Sequence, residues 1–202
     1  MIPAVILASG GSTRMGRAKA LLAVPSTDAT FVARIVMVVL EGGAADALVV
    51  GRPEDQPLRD EVRRIEEESW AAGRVRFIEN HRAETGQLSS VIAGLNAADH
   101  PGVRAILVTP VDLPLVRPAT IAAILEAFSA SGRPIARVTH RGRHGHPVIF
   151  GRQLFDALRR ASPDIGARAV TRAHPVLDVA VDDPGVLLDV DTPDDYTRLT
   201  EP

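Results

Sequence analysis

The chain has 202 residues, 46% of them hydrophobic and only 3% aromatic, with a formal net charge of −2 and no cysteine. That is enough for one domain, residues 1–202, with a substantial core of Ala, Val, Leu and Ile, and it excludes a disulfide framework, a thiolate metal site and a cysteine nucleophile. The balanced charge gives no basic stripe for nucleic acid, no apolar run reaches the roughly 18 residues of a membrane span, and no charged leader precedes the first strand, so a cytoplasmic protein is expected.

Val5-Ile6-Leu7 reads as a buried strand, and it breaks into Gly10-Gly11-Ser12-Thr13 followed by Arg14, Gly16 and Lys19. Dense apolar residues predict a buried helix over 31–40, ended by Gly42-Gly43. A strand over 47–50 is stopped by Gly51 and Pro53. The spacing of Leu58, Val62 and Ile65 predicts a helix over 58–70 with a charged outer face. Strand 75–78, helix 88–98, strand 104–109 and helix 119–129 follow, then strand 135–138 and a short strand 147–150. Helices over 153–160 and 167–173, a strand over 176–181 and a helix over 194–199 complete the chain. Alternating β-α-β units imply a Rossmann-like, three-layer α/β/α fold with a mostly parallel sheet and right-handed crossovers. Ligands in such sheets bind beyond the carboxyl ends of the strands. The stretches 25–30 and 137–146 read as long irregular loops, which are often functional.

Five stretches suit chemistry. The glycine loop after the first strand lets backbone amides approach and cradle an anion. Arg14 adds a planar fork of donors and Lys19 a mobile point charge, a set suited to polyphosphate. Neither G-x-x-x-x-G-K-[ST] nor G-x-G-x-x-G is present. Asp112, in Thr109-Pro110-Val111-Asp112-Leu113-Pro114, stands just past a buried strand, where a carboxylate is well placed to hold Mg²⁺. Near the C-terminus, alternation over 188–191 sends Asp189 and Asp191 to one side, and either one is available as a second metal carboxylate. The same segment opens a helix, with Thr192 at N-cap, Pro193 next and Asp194 and Asp195 in the first turn. Gly86, Gln87, Ser89 and Ser90 begin the helix over 88–98 with small polar groups and free amides suited to a nucleotide. Arg143-His144-Gly145-His146-Pro147 is a basic, glycine-containing loop that suits a phosphorylated acceptor better than a metal.

Leu7-Ala8-Ser9-Gly10-Gly11-Ser12-Thr13-Arg14-Met15-Gly16 with Lys19 resembles the L-A-[AG]-G-x-S-x-R-M-G-x-x-K signature of GT-A-like nucleotidyltransferases. Within them the chain is most similar to the molybdenum cofactor cytidylyltransferases. Ser9 is the departure, standing where that family usually has Ala or Gly. The resemblance continues at the G-Q-x-x-S segment, at the aspartate after the fourth strand, at G-x-x-G-H-P and at D-[IV]-D-T-P-E-D, here residues 189–195. It implies nucleotide contacts from Leu7, Ala8, Ser9, Gly10, Gly11, Ser12, Arg14, Lys19, Gly86, Gln87, Ser89 and Ser90. It also implies acceptor contacts from Arg143, His144, Gly145, His146 and Pro147, and Mg²⁺ on Asp112 and Asp191. Arg14, Lys19 and Asp112 are the expected catalytic groups. CTP and molybdenum-bearing molybdopterin are the expected substrates, with transient contact to a molybdoenzyme or its chaperone. Other readings are a guanylyltransferase on the same cofactor, a transferase for another nucleotide or a sugar phosphate, and a catalytically silent nucleotide or cofactor carrier.

Overall fold

The computed structural model describes residues 1–10, 18–25 and 27–200. The first strand, β1 (Ala4–Leu7), lies near the middle of a seven-stranded sheet whose order is β3-β2-β1-β4-β6-β5-β7. The other strands are β2 (Ala47–Gly51), β3 (Val75–Glu79), β4 (Ala105–Pro110), β5 (Ile135–His140), β6 (Arg143–Gly151) and β7 (Val176–Ala180). Only β6 runs against its neighbours, antiparallel to both β4 and β5. Ala4 of β1 stands opposite Ala47 and Leu107, and Leu7 opposite Val50 and Pro110. Both faces of β1 are covered: Ala4 and Ile6 belong to one apolar cluster, Val5 and Leu7 to the other. This explains why the strand reads as an unbroken apolar run rather than an alternation.

The first cluster holds buried residues of α1 (Phe31–Glu41), α2 (Gln56–Glu67) and α4 (Pro118–Ser131). The second holds those of α3 (Gln87–Ala98), α5 (Phe155–Arg160) and α6 (Arg168–Ala173). Helix α7 (Pro193–Thr200) returns to the first face, where Tyr196 packs and donates its hydroxyl to the Ala23 carbonyl at 3.0 Å. The expected three-layer fold is therefore present. Among the described residues no helix is long and apolar enough to cross a membrane.

Local chemistry sets the helix ends. The Thr30 side chain accepts from the Ala33 amide and caps α1. Asp55 accepts from the Leu58 amide and caps α2, so this helix starts at Gln56, before the first apolar contact at Leu58. It also ends at Glu67, short of the expected 70, because the Glu68 amide closes the last turn on the Ile65 carbonyl. Helix α3 comes down close on the sheet at Gly94, where an added Cβ would meet Val5 Cγ1 at 2.2 Å.

Three expectations are corrected. The stretch 137–146 is not an irregular loop but the β5–β6 hairpin, with Thr139 opposite His144 and His140 opposite Arg143. Its turn uses Arg141 and Gly142 at φ values of 49° and 76°. Consequently β6 has nine residues instead of a short run over 147–150. Its polar first half, Arg143 to His146, runs as an exposed or half-buried extension of the strand and carries no apolar alternation to reveal it. Residues 188–191 do not form a strand either: Leu188 is exposed while Val190 is buried. That segment is held by backbone hydrogen bonds from the Leu188 amide to the Gly185 carbonyl at 3.4 Å and from the Val190 amide to the Asp112 carbonyl at 3.0 Å. The expected helix over 153–160 begins as a 3₁₀ turn at Arg152–Leu154 before α5.

Candidate active site

A cavity of about 360 Å³ opens at the carboxyl ends of β1, β2 and β4. β1 delivers Leu7, Ala8, Ser9 and Gly10 to its wall; β4 delivers Pro110, Val111 and Asp112. The two strand ends are stitched by the Val111 amide donating to the Leu7 carbonyl at 3.1 Å. The start of α3 adds Gly86, Gln87 and Ser90. Gly86 holds φ at 101°, a conformation that a side chain would strain, and so turns the chain into the helix. Asn80, itself buried, positions this end by donating to Ser89 Oγ at 2.8 Å and Ser90 Oγ at 3.0 Å.

Lys19 stands at the mouth of this cavity, at the start of a 3₁₀ turn, Lys19–Leu21. Its ammonium lies 3.5 Å from Asp112 Oδ2 and is also hydrogen-bonded to Asp191 Oδ1. Three groups separated by up to 172 positions in sequence thus meet at one point. The cap of α7 fixes Asp191: the Asp195 carboxylate accepts from the amides of Asp191 and Thr192 at 3.2 and 2.9 Å and from Thr192 Oγ1 at 2.7 Å. The Asp195 amide donates back to Thr192 Oγ1 at 3.2 Å, a reciprocal arrangement of the capping-box kind. Burial pushes the Asp112 carboxyl above the usual carboxylate range; the Lys19 charge opposes this and the Asp191 charge adds to it. One ammonium does not fully compensate two carboxylates brought together in a half-desolvated place.

That donor set fits a divalent cation. Mg²⁺ takes oxygen ligands in sites of one or two carboxylates plus substrate phosphates, and Asp112 and Asp191 converge on a single positive charge as such a pair would. Among the described residues no group of three or more His, Asp or Glu side chains forms a denser site. Asp189 is exposed, and its charge acts on His146.

The remaining expected residues divide. Gly11, Ser12 and Arg14 lie outside the described residues. Ser9 lines the cavity but is buried, and its hydroxyl donates to the Val50 carbonyl at 3.1 Å, so its side chain is engaged with the sheet. Ser89 does not line this cavity. It faces a separate one of about 600 Å³ between α3 and the 79–85 segment, with its hydroxyl donating to the Gly86 carbonyl at 2.7 Å. His144, Gly145 and His146 line a second cavity of about 590 Å³, which shares Leu7 and Gln87 with the first. Arg143 is exposed at the hairpin and Pro147 is buried in β6, and neither lines that cavity. Asp183 is buried and structural: it accepts from the Arg117 amide at 2.9 Å and Thr120 Oγ1 at 2.6 Å, capping α4.

Sequence reading missed Arg52 and Asp55, which line the first cavity just after β2. Their position beyond a strand's carboxyl end was the available signal. Arg52 Nε donates to the Ser9 carbonyl at 3.1 Å and braces the loop from across the sheet. Arg168 and Arg172 on the second cavity were also missed, because they come from α6, remote from any motif, and Arg137, at the start of the stretch 137–146, was not singled out within it.

Residues 4–179 match the model of the MobA-like NTP transferase domain. A curated relative, the "Probable molybdenum cofactor guanylyltransferase" of Mycolicibacterium paratuberculosis, is 26% identical over 98% of this chain and 94% of its own. The crystal structure of Rv0371c from Mycobacterium tuberculosis covers 100% of this chain and 98% of its own at 30% identity, with a TM-score of 0.79. A structure of Rv0371c in complex with manganese, 29% identical, covers 100% of this chain and 98% of its own with a TM-score of 0.72.

Proposed function

This chain belongs to the MobA-like NTP transferase domain family, and from that premise we propose that it transfers a cytidylyl group from CTP to a phosphorylated acceptor, molybdenum-loaded molybdopterin, and releases pyrophosphate. The observation that carries the chemistry is the meeting of Lys19, Asp112 and Asp191 at the mouth of a strand-end cavity. In this reading residues 1–202 act as one nucleotidyltransferase domain. The NTP lies along Leu7, Ala8, Ser9 and Gly10 and against Gly86, Gln87 and Ser90. Gly11, Ser12 and Arg14 of the same loop take the phosphates with Lys19. Arg52 and Asp55 offer a donor and an acceptor to the base.

Asp112 and Asp191 would hold Mg²⁺, which when bound supplies charge neutralisation for the triphosphate. Lys19 bridges both carboxylates, and its flexible stem would let the ammonium turn to the phosphates as charge develops. The acceptor phosphate is already an anion, so no general base is required. The bond from its oxygen to the α-phosphorus forms as the bond to the β-phosphate oxygen breaks, and pyrophosphate leaves with the electron pair. The protein's part is positioning and electrostatic stabilisation. His144, Gly145 and His146 border the acceptor, with Arg143 and Pro147 shaping the hairpin.

The curated relatives named as guanylyltransferases favour a second reading, GTP in place of CTP. Pyrophosphate release from purified protein and Mg²⁺ with each of CTP, GTP, UTP and ATP, with and without the acceptor, separates the two. Acceptor-dependent release with CTP supports the first reading and release with GTP the second. Release with neither, even with a panel of sugar phosphates as acceptors, favours a silent carrier.

A further inference from the structure

Resting on the reading that a phosphorylated acceptor enters the second cavity, we propose that Arg168 and Arg172 bind an oxyanion of that acceptor remote from its reacting phosphate. The two arginines are one turn apart on α6, on the same side of the helix. Both are exposed and both line the second cavity. Among the described residues neither has a carboxylate partner, whereas the third arginine on the wall, Arg137, is held by Asp178 through Nε at 3.0 Å and Nη2 at 2.7 Å. His144 Nε2 lies 3.7 Å from the same carboxylate. Asp178 therefore pairs with Arg137, and among the residues lining the cavity Asp164 is the one acid facing Arg168 and Arg172, while Asp189 acts on His146 from outside that lining.

His146 is a second, independent sign of a ligand. Its Nδ1 is buried and has no hydrogen-bond partner, which is costly for a polar atom unless something in the cavity meets it. Burial holds this histidine below its usual range, partly offset by the backbone of Val108 beside the ring, so the ring adds a polar contact and not a charge. The border between the two cavities, Leu7 and Gln87, is where an acceptor phosphate meets the nucleotide. Arg168 and Arg172 line the second cavity alone, off that border. A space of about 590 Å³ is far larger than one phosphate. An acceptor that fills it places one anionic group at the border and offers another part of itself to α6. A guanidinium pair suits an oxyanion through its flat fork of donors. Binding energy at that remote end orients the reacting phosphate.

The test is a kinetic split with CTP and molybdenum-loaded molybdopterin. The double variant Arg168→Glu/Arg172→Glu raises acceptor KM about tenfold or more, the usual loss for a charge-assisted bond, and leaves CTP KM unchanged. Lys at both positions restores much of the affinity, which a merely structural role would not predict for exposed side chains. An unchanged acceptor KM, or an equal rise in both KM values, overturns the proposal. A second measurement does not need turnover. Inorganic phosphate is titrated into the full chain with a non-hydrolysable CTP analogue filling the first cavity, and backbone amide shifts are followed by NMR. Shifts in residues 163–172 that the Glu variant loses support the site; shifts confined to residues 8–20 overturn it. If the wild-type protein releases no pyrophosphate with any acceptor, the functional reading fails, while the titration still decides for or against α6.

Discussion

Around Lys19 charge is paired: its ammonium meets Asp112 and Asp191, and Asp191 is in turn seated by the Asp195 cap. Around Arg168 and Arg172 charge is left over, on exposed side chains of a six-residue helix. The first cavity sits on the parallel half of the sheet, where β1, β2 and β4 end together. The second is built by the antiparallel hairpin strand, the 163–167 loop and α6. Groups that act on a transferring phosphoryl must be held before the substrate arrives, because preorganisation is what makes them effective. Groups that recognise the rest of a substrate gain by waiting for it, since their pairing is then part of the binding energy.

The largest effect that this contrast predicts is at Asp112. Asp112→Ala should lower kcat by about 10²–10³-fold, the range found when one group that stabilises transition-state charge is removed. The same loss in wild-type protein treated with a metal chelator would tie it to the cation, whereas a rise in NTP KM at constant kcat would make Asp112 a simple binding residue. Gly94→Ala, on α3 where the helix lies against the sheet, drives a methyl into Val5, a buried β-branched side chain with little room to move. It should cost about 1–3 kcal/mol of stability. In a chain of this size that lowers Tm by about 2–4 °C per kcal/mol, and an unchanged melting curve would show that α3 can lift from the sheet. Asp195→Ala removes the acceptor that seats Asp191 and Thr192. Metal affinity or turnover should fall about tenfold, as for other groups that orient a ligand, and manganese binding followed by electron spin resonance would report it directly.

The smallest expected effect lies far from both cavities. The Arg64 hydrogen bond, aided by Thr30 and opposed by burial, holds the Glu61 carboxyl below the usual range. A depressed carboxyl stabilises the fold above its unfolded pKa and loses that contribution as pH falls through the lower folded value. Solvent screening keeps it under about 1 kcal/mol. Glu61→Gln should therefore flatten the acid limb of the stability curve slightly and leave kinetics at neutral pH alone. A change in turnover would mean that the α1–α2 side communicates with the site.

The elements most legible in the sequence were those whose signal is local. The apolar run of β1, the spacing of Leu58, Val62 and Ile65 on α2, and Thr192 with Asp195 at the start of α7 each carry their cause within a few residues. The hairpin over 137–146 was not legible, because Arg143 to His146 owe their strand conformation to β5 alongside and not to any pattern of their own. The placement of Asp189 and Asp191 failed as an alternation argument for the same reason: the segment is positioned by the Val190 hydrogen bond to the Asp112 carbonyl and by the Asp195 cap, not by a sheet ladder.

The amino-acid sequence by itself determined the layered α/β fold, the end of β1 at Leu7, and the two acidic segments around Asp112 and Asp191, since turn chemistry, capping and apolar periodicity act over short spans. Only the tertiary structure decided that Lys19, Asp112 and Asp191 share one point, that Ser89 faces away while Ser90 faces in, and that α6 brings Arg168 and Arg172 to the second cavity. Those meetings depend on strand order and on which face of the sheet each helix covers, and such long-range choices are made by burying the whole apolar surface at once.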